Sequence, residues 1–127
     1  MIKKFFTVLV IIVIFFGFYK LTSQKPASII NTSDSDLVLF YGNTCPHCKD
    51  VEEFISKNKI DQKLKISQLE VYDNKPNSIL FANIVKEICP DKSTPEGIPV
   101  PFLVNQKDKQ CFIGTPDITG YLTKKSK

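Results

Sequence analysis

Arginine is absent: all 17 basic residues are lysines, set against 13 acids for a net charge of +4. Without guanidinium forks, and with only Lys124, Lys125 and Lys127 clustered, the chain has no material for a nucleic-acid groove, and no nucleic-acid partner is expected. Glycine and proline, at 5 and 8 residues, are too few and too scattered for a collagen-like or low-complexity tract. Histidine occurs once, at His47, so a zinc site would draw on it and on four cysteines. Two of those, Cys89 and Cys111, lack the short spacing of a ligand pair, and no metal is expected. With 127 residues there is room for one domain.

Charge is also missing from one long stretch, Phe5 to Tyr19 (FFTVLVIIVIFFGFY), which follows Lys3 and Lys4. As a helix from Ile2 to Leu21, at about 1.5 Å per residue, it would reach roughly 30 Å, enough to span a bilayer core. Lys3, Lys4 and Lys20 could then snorkel to the interfaces. The exit of the run, GFYKLTSQKP, offers no small-x-small pair for a signal peptidase, which favours a retained single-pass anchor over a secreted, cleaved form. Lys3 and Lys4 predict a cytoplasmic N-terminus and an extracytoplasmic remainder. Residues 22–36 read as a polar linker, with Asn31-Thr32-Ser33 a glycosylation acceptor if the source is a eukaryote. The expected organisation is therefore an anchor at 1–21, a linker at 22–36 and a domain at 37–127.

Leu37-Val38-Leu39-Phe40-Tyr41 is a continuous apolar run that suits a buried strand. From Cys45 to about Asn58, Val51, Phe54 and Ile55 recur at helical spacing. Lys63 to Tyr72 alternates at Leu64 and Ile66, then resumes out of phase at Leu69 and Val71, which predicts a strand with a bulge. Asn77 is expected to cap a second helix carrying Leu80, Phe81, Ile84, Val85 and Ile88 and ending near Cys89-Pro90. Phe102-Leu103-Val104 and Cys111-Phe112-Ile113 flank a polar turn at 105–109 and predict a hairpin. Thr115-Pro116 is expected to cap a last helix bearing Ile118, Tyr121 and Leu122, with Pro116 in the first turn. The order βαβαββα implies a small mixed α/β sheet with helices on both faces.

Chemistry concentrates at Cys45-Pro46-His47-Cys48. Two cysteines three apart at a helix start have α-carbons near 5 to 6 Å, within disulfide range. The unpaired N–H groups and partial positive charge there stabilise a thiolate, which makes Cys45 the candidate nucleophile. Pro46 suits the first turn, and His47 can set a cation or donor beside the sulfur. A better stabilised thiolate favours the reduced form and makes the disulfide a stronger oxidant. Cys48, deeper in the helix, is the candidate resolving thiol. A disulfide over so short a loop removes little unfolded-state entropy, so a purely structural role explains it less well.

A Cys-x-x-Cys after the first strand and a proline-bearing loop before a hairpin resemble the thioredoxin-like superfamily over roughly Leu37 to Leu122. Cys-Pro-His-Cys is similar to the active-site tetrad of the DsbA disulfide oxidases, while the size and the YGNTCPHC stretch look more like a glutaredoxin. Only about twenty-eight residues separate Tyr72 from Pro101, too few for the helical insertion of a full DsbA fold. The resemblance implies a thioredoxin-like thiol-disulfide oxidoreductase acting on protein thiols and disulfides. Its redox-active group would be the Cys45–Cys48 pair, with no separate cofactor, and the anchor would bring a membrane redox partner within reach. It also implies a cis-proline opposite the cysteines, preceded by a residue that pairs with substrate backbone. Pro99 and Pro101 compete for that place; Pro101, with Val100 before it, is preferred, because Pro99 as the cis residue would leave Pro101 inside a strand. Gly114-Thr115 stands where glutaredoxins carry a Gly-Gly pair, and Pro99 where they carry Thr, so a glutathione site is not expected.

Cys89 and Cys111 can form a second disulfide outside the cytoplasm or remain buried thiols, and spacing alone does not choose between them. A non-catalytic module of the same fold that binds a metal or a partner is the alternative to the enzyme.

Overall fold

The protein is described here by a computed structural model over residues 35–127. The expected anchor, and the linker up to residue 34, lie outside the described residues. Among the described residues, no helix is long and apolar enough to cross a membrane.

Strand β1 (Leu37–Tyr41) is the centre of the molecule, and its first four side chains are all buried. An uninterrupted apolar run is what a strand covered on both faces requires, since successive side chains point to opposite sides. β1 pairs in parallel with β2 (Ile66–Glu70), from Leu37 opposite Ile66 to Tyr41 opposite Glu70. Its other edge pairs antiparallel with β3 (Phe102–Asn105), which forms a hairpin with β4 (Gln110–Ile113). The sheet order is β2-β1-β3-β4. A parallel neighbour needs a crossover, and helix α1 (Pro46–Lys57) supplies it.

One face of the sheet carries Val38, Phe40, Leu69, Phe102 and Val104, packed under Phe81, Ile84 and Val85 of helix α2 (Lys75–Ile88). Phe81 stacks on Phe40 at 4.4 Å and meets Phe102 edge-on at 5.2 Å. The opposite face carries Leu37, Leu39 and Leu103 beneath Val51 and Ile55 of α1 and Ile118 and Leu122 of helix α3 (Thr115–Lys125). Full burial of each such side chain contributes about 1.5–3 kcal/mol, so both faces hold their helices by the same means.

The observed order is the expected βαβαββα. Four local details differ. β2 spans five residues in unbroken register with β1, and no bulge interrupts it. Its apolar phase shift has another cause: Leu64 and Ile66 pack toward α1 and α3, whereas Leu69 and Val71 pack toward α2. The cap of α2 is Asn74, whose side chain accepts the Asn77 N–H at 3.1 Å. Asn77 instead turns inward and donates to the Glu70 carbonyl at 2.9 Å, which leaves its amide satisfied although buried. Asn105 belongs to β3 rather than to the turn. It is fully buried and donates to Asp108 at 2.8 Å and to the Tyr121 hydroxyl at 2.6 Å, tying the hairpin to α3. Finally, α3 is preceded at its N-cap by Gly114, with φ 80°, so Thr115 is the first helical residue and Pro116 the second.

Candidate functional site

β1 ends at Tyr41, and Gly42 turns the chain into α1. The ring of Tyr72, an exposed side chain, lies over Gly42, and a side chain at that position would have to push it aside. The Gly42 carbonyl accepts the Cys45 N–H at 3.1 Å, which places Cys45 at the N-cap of α1 in extended geometry (φ −88°, ψ 114°). Its sulfur then occupies the position of a capping oxygen and accepts the Cys48 N–H at 3.2 Å. The first turn holds no acidic side chain, so its N–H groups and dipole face the sulfur without a competing carboxylate. An anion so placed gains up to about 2 kcal/mol where it is partly buried.

Cys45 and Cys48 are bonded to each other, with α-carbons 5.3 Å apart. Their exposures are 7% and 1%, so Cys45 is the sulfur at the rim and Cys48 the sulfur behind it. The Gly42 N–H points at Cys48 Sγ from 3.5 Å. On the other side, Cys45 Sγ lies 3.8 Å from the carbonyl oxygen of Val100. The Val100–Pro101 peptide bond is cis, and Pro101 is buried at the entry to β3, while Pro99, two residues earlier, is exposed.

Pro46 opens α1 where a missing N–H is harmless. The His47 side chain is 77% exposed, and its Nδ1 stands 3.7 Å from the Asp50 carboxylate. The His47 carbonyl accepts the Thr115 hydroxyl at 3.1 Å, a contact from α3 that sequence reasoning missed. Gly114 donates its N–H to the Pro101 carbonyl at 3.0 Å. In the sequence Gly114 stands out as a departure from a Gly-Gly pair, and Thr115 also as the expected cap of the last helix. A glycine between a strand and a helix start is the signal that would have singled them out.

Glu70 was also missed. Its carboxylate accepts the backbone N–H groups of Tyr72 at 2.6 Å, Asp73 at 3.0 Å and Asn74 at 2.9 Å. Burial works against ionisation of this carboxyl, but those donors, with the Asn43 backbone, outweigh it and hold Glu70 below the ordinary carboxylate value. The Asn43 side chain donates to Asp73, so one network joins the β2–α2 loop to the loop before Cys45.

Cys89, at the C-cap of α2, is bonded to Cys111 of β4, with α-carbons 6.4 Å apart. The pair packs against the core beneath α2 rather than at the start of α1. Among the described residues, no group of three or more His, Cys, Asp and Glu side chains is arranged to hold a metal ion.

No protein-family model matches the chain, and no curated protein matches it. Among solved structures it is similar to oxidized glutaredoxin 2 from Chlamydomonas reinhardtii, at 12% identity and a TM-score of 0.47, over 75% of this chain and 78% of that one. A likeness of that degree carries neither activity nor residue roles to this chain.

Proposed function

We propose that the chain is a membrane-anchored, extracytoplasmic thiol-disulfide oxidoreductase of thioredoxin-like type that exchanges disulfides with protein substrates through Cys45 and Cys48. The observation that carries the reading is the Cys45–Cys48 bond at the N-cap of α1, with the outer sulfur facing the Val100 carbonyl beside Pro101. A substrate thiolate attacks Cys45 Sγ, the Cys45–Cys48 bond breaks, and Cys48 leaves as a thiolate beside the Gly42 N–H. A second substrate thiolate then attacks the substrate sulfur of the mixed disulfide and expels Cys45 as a thiolate held by the helix start. Two electrons have passed to the protein, and the two substrate thiol protons are released to solvent or to the new thiolates. The reverse sequence reduces a substrate disulfide, and the redox partner that recharges the pair sets the direction.

Val100 and Pro101 form the wall along which a peptide lies, and His47 places a cation near the outer sulfur when protonated. The extracytoplasmic assignment draws support from the Cys89–Cys111 bond, because disulfides remote from the exchanging pair persist on the oxidising side of membranes. The anchoring assignment rests on the apolar run at 5–19. The decisive experiment uses single serine variants. Cys45→Ser is expected to abolish exchange, and Cys48→Ser to accumulate mixed disulfides with substrate; an undiminished rate in Cys45→Ser rejects the mechanism. Stoichiometric metal in the purified protein, with no exchange activity, would select the binding-module alternative.

A further inference from the structure

Two consecutive residues at the junction of β4 and α3 reach opposite sides of the site. The Gly114 N–H extends the β3–β4 ladder by one bond, donating to the Pro101 carbonyl at 3.0 Å, and the next residue, Thr115, donates its hydroxyl to the His47 carbonyl at 3.1 Å. Pro101 follows the residue whose carbonyl stands 3.8 Å from Cys45 Sγ, and His47 lies between the two cysteines. The wall and the sulfur-bearing turn are therefore each bonded to one end of the same dipeptide.

The Phe40–Phe102 pairing of β1 with β3 brings the wall and the sulfur-bearing turn to the same end of the sheet, and the start of α1 lies beyond that ladder. α3 rests on α1 through Ile118 and Leu122 against Val51 and Ile55, which are aliphatic contacts without direction. Such contacts fix the spacing of two helices more firmly than their offset along the axis. A hydrogen bond is directional and fixes the offset. Thr115 has no capping task to explain its hydroxyl, because the N-cap of α3 is Gly114.

We propose that Gly114-Thr115 is a clasp and that Thr115 is a positioning residue: through His47 it holds Cys45 Sγ in register with Val100, so that a polypeptide lying along Val100 presents its sulfur in line with Cys45. The inference rests on the exchange reaction proposed above. A small dithiol approaches Cys45 without lying along Val100, so the clasp acts on polypeptide substrates and leaves small ones unaffected.

The test compares Thr115→Val, which keeps the shape and loses the hydroxyl, with Thr115→Ser, which keeps the hydroxyl, in the full chain with Cys45–Cys48 oxidised. Reduction of that disulfide is timed with a reduced, unfolded polypeptide dithiol and with dithiothreitol. Thr115→Val is expected to slow the polypeptide reaction by about ten-fold and the dithiothreitol reaction by less than about two-fold, as a misalignment of reacting atoms would. Thr115→Ser is expected to restore the polypeptide rate. Equal slowing with both dithiols, no slowing with either, or no rescue by serine overturns the clasp. Amide hydrogen exchange supplies an independent readout, with loss of protection expected in the first turn of α1 in Thr115→Val. Should the unmodified protein react with neither dithiol, the exchange reading fails, and unchanged protection in Thr115→Val would then overturn the clasp separately.

Discussion

Replacing Cys89 and Cys111 together by alanine removes a bond that joins the end of α2 to β4 across a sequence separation of 22. In the chain-entropy account, a closed loop of that size restricts the unfolded state by an amount worth about 3 kcal/mol at 25 °C. For a domain of this size, the same loss lowers the melting temperature by roughly 12–24 °C. The Cys45–Cys48 bond, with a separation of 3, constrains the unfolded chain by only about 1.5 kcal/mol on the same account. Thermal melts with Cys45–Cys48 kept oxidised measure the effect, and a thiol titration of the Cys45→Ser/Cys48→Ser protein should find no free thiol. A melting temperature for the alanine pair within about 3 °C of the parent would refute the reasoning, because the constraint would then contribute far below the entropic value.

Glu70→Gln is expected to lower stability at neutral pH. Because the folded protein holds the Glu70 carboxyl below its ordinary value of 4.5, its contribution is complete above that pH and is lost as pH falls through the lower folded value. Urea unfolding from pH 7 down to about pH 3 should show the gap between parent and variant closing in acid, and a gap that stays constant contradicts the assignment. Asn105→Ala removes a buried amide and its hydrogen bonds to the exposed Asp108 and the half-buried Tyr121, and should cost about 1 kcal/mol in equilibrium unfolding; a loss below about 0.3 kcal/mol would mean that water replaces them. His47→Tyr should lower the reduction potential of Cys45–Cys48, and because the ring is exposed and beside Asp50 the change should be on the order of 10 mV in equilibration against glutathione. An unchanged potential would remove His47 from the tuning of the pair.

Periodicity located the parts of the chain that touch the core. Val51 and Ile55 on α1, and Phe81, Ile84 and Val85 on α2, could be assigned from spacing because burial of one helix face repeats every three to four residues. The run Leu37–Phe40 announced a strand covered twice. What escaped was decided by geometry between distant segments. The phase shift in β2 looks like a bulge unless one knows that both faces of an edge strand are covered. Asn74 and Asn77 both satisfy the preference for a cap, and only the carbonyl of Glu70 above Asn77 separates them. The partner of Cys89 could not be fixed until α2 and β4 were placed side by side. Thr115 is locally marked as a helix cap, but its bond to His47 has no local sign, since that acceptor lies 68 residues earlier in the chain.

The two outer strands of the sheet have a bearing on how many copies can share a small area. β4 has four residues and β2 five, and Lys63, Lys65 and Glu70 crowd the ends of β2. Brief margins bordered by charge are poor templates for strand addition from a neighbour, so dense arrays of this domain should resist fusing into continuous sheets.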